Sequence, residues 1–137
     1  MHHIIYLSWA TVPFTDRQLQ ELLLVARQRN EELAITGILL YGNECFIQLL
    51  EGEEDVVQEL YAQIKQDARH GNIITFTNKP VAQRVFTDWT MAFHSVSSPQ
   101  LNAVVGYLGS AEVPVSMAGL PGTDQRLFDL LRSFVLP

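Results

Sequence analysis

The chain carries a formal charge of −6 over 137 residues, 47% of them hydrophobic and 18% charged. That is enough apolar chain for one domain with a real core, and it argues against intrinsic disorder. Acidity without a cluster of Lys and Arg argues against direct nucleic-acid binding, which needs cations to displace counterions from phosphates. No apolar run approaches a membrane span, and the opening residues lack the basic and apolar regions of a signal peptide. Cys45 is the single cysteine, so no internal disulfide can form and a cytoplasmic setting is expected.

Residues 2–9 form a β-branched and aromatic run that predicts a strand. Thr15 and Gln18 fit a capping box, and Leu19, Leu22, Leu23 and Ala26 follow at helical spacing. Leu24 and Val25 add a second apolar stripe that one sheet contact does not require, so it is free to cover a ligand, a partner or another helix. A second strand is expected over 34–41, with Gly42-Asn43 turning into a third over 44–50. Val57, Leu60, Tyr61 and Ile64 mark a second helix ending near Asp67, with Gly71 as a helix-terminating residue. Strands over 73–77 and 89–96 complete the order β-α-β-β-α-β-β. That order predicts an α+β, ferredoxin-like sheet with both helices on one face.

Beyond Val96 the composition changes. Ser97-Ser98-Pro99 opens a helix through Gly109, and Thr123 caps another over 125–134, joined by a Gly/Pro-rich connection over 112–122. The expectation is one domain over residues 1–96 and a helical extension over 97–137 that caps the open sheet face or makes an oligomer contact.

Strand alternation places Gln48 among Phe46 and Leu50 on one face and Ile47 and Leu49 on the other, so its amide is enclosed whichever face is buried. An unsatisfied buried amide costs about 1–3 kcal/mol and therefore needs designated partners. Tyr6 offers one, and in the fifth strand Trp89, Met91 and Phe93 are expected to share a face. On the residues alone, the ordinary account is a satisfied core network. In that account Asn30 caps a helix, Arg69 and His70 favour a helix dipole, and Met91 and Trp89 pack. His2, His3, His70 and His94 lack metal-ligand spacing, and His2-His3 is expected at a frayed or edge-strand terminus. Cys45 has no identifiable His partner and is read as structural.

Five blocks taken in order change that weighting. They are Tyr6-Leu7-Ser8-Trp9-Ala10, Asn30 ahead of Ile35-Thr36-Gly37, residues 46–52, Asp67-Ala68-Arg69-His70, and residues 84–91. Together they resemble the BLUF family of flavin photoreceptors across about residues 3–96. The resemblance implies a non-covalently bound flavin, FAD or FMN, inserted between the two helices. It implies that Asn30 holds the polar edge of the ring, and that Asp67, Arg69 and His70 lie toward the ring edge and the ribityl or phosphate side. Leu22, Leu39, Phe46 and Ile64 are implied for the apolar slot, and Arg29 for the ring or the phosphate tail.

The same resemblance makes Tyr6 and Gln48 the photochemical pair. Tyr6 would give an electron and a proton through Gln48, and recombination would leave a changed hydrogen-bond pattern and a red-shifted absorption. Trp89 or Met91 would pass the change to the fifth strand and the helices beyond. The expected role is a light switch and not an enzyme, acting through homo-oligomer state or a separate downstream signalling protein. Two rivals remain on this fold. An acylphosphatase-like hydrolase wants an Arg in the loop after the first strand, which residues 10–15 lack; a colourless ligand-binding or dimerisation module would show no flavin spectrum.

Overall fold

The structure, a computed structural model, describes residues 1–109 and 128–134. Strand β1 (His2–Ala10) is followed by α1 (Asp16–Leu33), β2 (Thr36–Gly42), β3 (Cys45–Gly52) and α2 (Glu54–Lys65). Then come β4 (His70–Pro80), a short β5 (Ala92–Ser95) and α3 (Ser98–Gly109). Residues 128–133 are again helical. Of the second tail helix expected over 125–134, only this part is described, and the connection over 112–122 lies outside the described residues.

Local chemistry explains the element ends. Thr15 and Gln18 form the reciprocal capping box that starts α1, and Ala34 closes it in the left-handed region at φ 54°. Glu54 and Asp55 occupy the first turn of α2 and Lys65 its last, matching the helix dipole. The β2–β3 turn is one residue later than the sequence suggests. Asn43 and Glu44 take φ 53° and 62° as its two central residues, so Gly42 ends β2 and Cys45 begins β3.

The sheet order is β4-β1-β3-β2-β5, antiparallel except that β5 runs parallel to β2. The first four strands have the ferredoxin-like arrangement, and β5 extends it. Alternation divides the core as expected. Ile4, Tyr6, Leu39, Phe46 and Leu50 face Leu19, Leu23, Val57 and Leu60 of the two helices. Ile5, Leu7, Leu40, Ile47 and Leu49 face the other way, against Leu101 and Val104 of α3 and Leu131. The described parts of the tail thus cover the second sheet face, where burial of each large apolar side chain contributes roughly 1.5–3 kcal/mol.

Several expectations change. His2 and His3 are buried within β1, which pairs with both β3 and β4, and so lie at neither an edge nor a frayed end. Asn30 does not cap α1 but lies inside its last turn, three residues short of its end. Because α2 stops at Lys65, Gly71 belongs to β4 and terminates no helix. The fifth strand begins at Ala92, where its ladder with Ile38 starts, so Trp89, Thr90 and Met91 precede it and share no strand face with Phe93.

Candidate functional site

Register sets the centre of the site. Tyr6 pairs with Gln48 across β1 and β3, and Gln48 pairs with Leu39 across β3 and β2. The Tyr6 hydroxyl donates to Gln48 Oε1, and Gln48 Nε2 donates to Met91 Sδ at 3.5 Å. All three residues are buried. The amide therefore has a strong partner on one end and a weak thioether acceptor on the other. Burial raises the Tyr6 pKa, with the neighbouring Tyr61 adding to the effect, so the phenol stays protonated well beyond its ordinary range. The Tyr61 ring lies 5.2 Å from that of Tyr6, and burial pushes its own pKa up.

A cleft opens beside this pair between α1 and the end of α2. Its inner part is lined by Tyr6, Leu22, Leu39, Phe46, Gln48 and Ile64, with Arg29, Asp67, Arg69 and His70 at its polar side. It continues outward into a chamber of about 440 Å³ bounded by Val12, Gln18, Glu21, Val25, Arg29 and Arg69. Val25, part of the surplus apolar stripe, lines that chamber and is 61% exposed. The structure thus gathers ten of the residues singled out from the sequence around one opening.

The polar side is built as follows. Asp67 accepts from the Arg69 backbone and from its guanidinium, and this pairing holds the Asp67 carboxyl down at about 2. The same bond raises the Arg69 pKa. Arg29 contacts Asn30 Oδ1 at 3.5 Å, and its pKa is lowered chiefly by burial, with Arg69 contributing in the same direction. Two guanidinium groups facing one cleft repel each other, so an anion between them would be favoured. His70 donates from Nε2 to the Ile64 carbonyl at 2.6 Å, and its Nδ1 shares a hydrogen bond with the Ser8 hydroxyl at 2.7 Å. Those two contacts orient a ring whose centre lies 6.3 Å from that of Tyr6.

Asn30 is fully buried, and its Nδ2 donates to the Thr90 carbonyl at 2.8 Å. Its neighbour one turn back, Arg27, donates from Nε to the Met91 carbonyl at 2.9 Å. Trp89 stands apart. Its side chain is 40% exposed, and its backbone carbonyl receives the Gly37 amide at 3.1 Å. Between Trp89 and Met91, the structure puts Met91 against Gln48.

Two features escaped the sequence reading. One is Arg27, whose i, i+3 spacing from Asn30 places both on one side of α1 and was the available signal. The other is a latch on the segment between β4 and β5. The buried Glu51 carboxylate accepts from Thr36 Oγ1 at 2.9 Å and from the Val85 and Phe86 amides at 2.8 and 2.6 Å. Arg84 spans to Thr36 Oγ1, the Glu51 carbonyl and the Ala34 carbonyl. A carboxylate directly following the mostly apolar run Phe46 to Leu50 was the signal there.

The chemistry of these groups suits a flavin. An apolar slot ends on an amide and a phenol, and an outer chamber carries two cations suited to phosphate. Comparison with known proteins agrees. The family model described as "BLUF: Sensors of blue-light using FAD" matches residues 1–92. The photoactivated adenylate cyclase subunit beta of Euglena longa is 40% identical over 87 residues, which cover 63% of this chain and 10% of that protein. The chain therefore spans about a tenth of the length of the curated relatives it matches first. Among solved structures, the dark state of BlrB, a BLUF protein, superposes with a TM-score of 0.69 at 27% identity, covering 93% of this chain and 96% of that one. The photo-activated state of BlsA gives a TM-score of 0.74 at 25% identity, covering 99% and 95%.

Proposed function

Because the chain belongs to the BLUF family of flavin-using blue-light sensors, we propose that its light signal is a rearrangement of the hydrogen bonds joining Tyr6, Gln48 and Met91. The observation that carries this reading is the buried Gln48 amide, with the Tyr6 phenol on its oxygen and the Met91 sulfur on its nitrogen. When bound, the flavin supplies the chromophore and the electron acceptor. The chain's residues do the rest. Leu22, Leu39, Phe46 and Ile64 would enclose the ring and exclude water, and Asn30, which in this structure donates to the Thr90 carbonyl, would hold its polar edge. Tyr6 releases its proton to Gln48 Oε1 as it is oxidised. A neutral amide can relay that proton, taking one at Oε1 while giving one up from Nε2 to the bound electron acceptor, or can turn end for end, and in either case it places no net charge in the low-dielectric core. Return of the electron and proton to Tyr6 leaves the covalent structure unchanged and the amide differently bonded. Turning would exchange a weak acceptor for a strong one at Nε2, so the contact to Met91 would change first.

FAD is favoured over FMN in this reading. The outer chamber, with Arg29 and Arg69 on its wall, has room and charge for a second phosphate and a nucleoside beyond the inner slot. In this reading the domain senses and turns over no substrate. Residues 1–96 hold the chromophore, and residues 97–137 carry the output to a second copy or a separate signalling protein. Support comes from α3 and residues 128–134, which cover the sheet face opposite the cleft. A cytoplasmic setting belongs to the same proposal and is supported by the single buried thiol, Cys45.

The test is an absorption spectrum of flavin-loaded protein before and after blue light. A reversible red shift that recovers in darkness is expected, and extracted cofactor should run as FAD. Protein that folds but takes up no flavin offered in excess would overturn the reading.

A further inference from the structure

The chain at Thr90 and Met91 is held by side chains rather than by a sheet. The β2–β5 ladder starts only at Ala92. The carbonyls just before it receive Asn30 Nδ2 at 2.8 Å and Arg27 Nε at 2.9 Å. Thus α1 grips two consecutive peptide groups, and the second belongs to the residue whose sulfur meets Gln48. Asn30 carries a proposed cofactor role already, although neither it nor Arg27 lines either part of the cleft.

We infer that Arg27 is a positioning residue. Its guanidinium fixes the Met91 backbone so that Met91 Sδ stays against Gln48 Nε2, and it thereby sets the balance between the two arrangements of the amide. The physics is an imbalance of stiffness. Tyr6 and Gln48 are tied by a regular ladder, whereas Met91 is an unbranched side chain on a segment outside it. A thioether is a weak acceptor, so its contact to Gln48 persists only while the backbone presents it. A charge-assisted bond to the carbonyl of that residue is roughly twice as strong as a neutral one. Arg27 is therefore suited to hold the adjustable end of the relay. This inference rests on the proposed light function only for its kinetic consequence; the positional claim concerns the polypeptide itself.

Two measurements separate these parts. The first is the ¹³C-methyl spectrum of the full chain in the dark, recorded without and with flavin. The Met91 signal is identified by its loss in Met91→Leu, and its position is compared among the parent, Arg27→Ala and Arg17→Ala. Arg17 sits on the same helix and pairs with Glu21 on its exposed surface, so it controls for loss of a cation. The Met91 methyl should move by more than a linewidth in Arg27→Ala and stay in place in Arg17→Ala. An unmoved signal in Arg27→Ala, or an equal shift in both variants, overturns the inference. The second measurement is dark recovery after blue light, expected to change at least threefold in Arg27→Ala with the flavin content of the parent. Recovery at the parent rate would overturn the role in the relay even if the methyl moved. A parent that binds flavin without photocycling would instead count against the light function, leaving the methyl comparison to decide the position.

Discussion

Gln48 stands directly across the β1–β3 ladder from Tyr6, and the Tyr6 hydroxyl donates to its Oε1. Because backbone pairing fixes both residues, their contact does not depend on any loop. The opposite end of the amide meets Met91, which lies outside the ladder. One end is rigid and the other adjustable, which is the arrangement a switch needs.

Removing either member of the rigid pair should separate binding from switching. Tyr6→Phe keeps the ring and its packing but leaves Gln48 Oε1 without its donor, at a cost of about 1–3 kcal/mol. Gln48→Leu removes the amide altogether but leaves the buried Tyr6 hydroxyl without its acceptor, at a similar cost. Both variants should hold flavin and show no reversible red shift. Flavin content and difference spectra check this, and a normal photocycle in either variant would contradict the assigned pair.

Tyr6 also predicts an alkaline limit. Its folded-state pKa is raised, first by burial, above the ordinary value of 10.0. The unfolded chain therefore loses this proton at lower pH than the folded one. The resulting stability is fully present below about pH 10 and is lost as pH rises beyond it toward the folded pKa. Denaturant midpoints should fall across that range in the parent, and the slope should flatten in Tyr6→Phe. Equal slopes would show that the phenol is not the buried group described above.

Much of this was legible because strands alternate. The face shared by Phe46, Gln48 and Leu50, the capped start of α1 and the apolar stripe containing Val25 all followed from spacing, whereas the register that puts Tyr6 on that face did not. The five blocks named the cofactor class that spacing could not. What stayed hidden depended on hydrogen bonds between segments distant in sequence. Asn30 read as a helix cap because its partner, the Thr90 carbonyl, lies 60 residues away. The run over 89–96 read as one strand because its residues suit one. Side chains from α1 and the Glu51 latch instead hold its first part off the ladder.

At the cleft's polar side, Asp67 predicts a small acid effect. Its pKa is lowered to about 2, chiefly by the hydrogen bond from the Arg69 side chain, against 3.8 ordinarily. A depressed carboxylate contributes stability that is present above about pH 4 and is lost as pH falls toward 2. Both partners are partly exposed, so solvent and salt screen most of the gain. Asp67→Asn should remove this portion of the acid slope, and raised salt should shrink it in the parent. Chemical denaturation across that pH range checks both, and an acid limb unaltered by the substitution would argue against the pairing.

Glu51 should matter more, because its carboxylate is fully buried and has three donors. Glu51→Ala removes the acceptor of the Val85 and Phe86 amides and leaves the Thr36 hydroxyl with Arg84 alone, and an unsatisfied buried group such as the Phe86 amide costs about 1–3 kcal/mol. Glu51→Gln keeps an acceptor oxygen but turns an NH₂ toward donors, so its effect should have the same sign and be smaller. The damage should begin locally, since the latch seats the segment leading to Met91 while the Tyr6–Gln48 ladder stands on its own pairing. Hydrogen exchange should therefore accelerate at Val85 and Phe86 before it does so in β1 or β3. Uniform acceleration through the sheet would mean that Glu51 supports the whole fold and not this segment in particular.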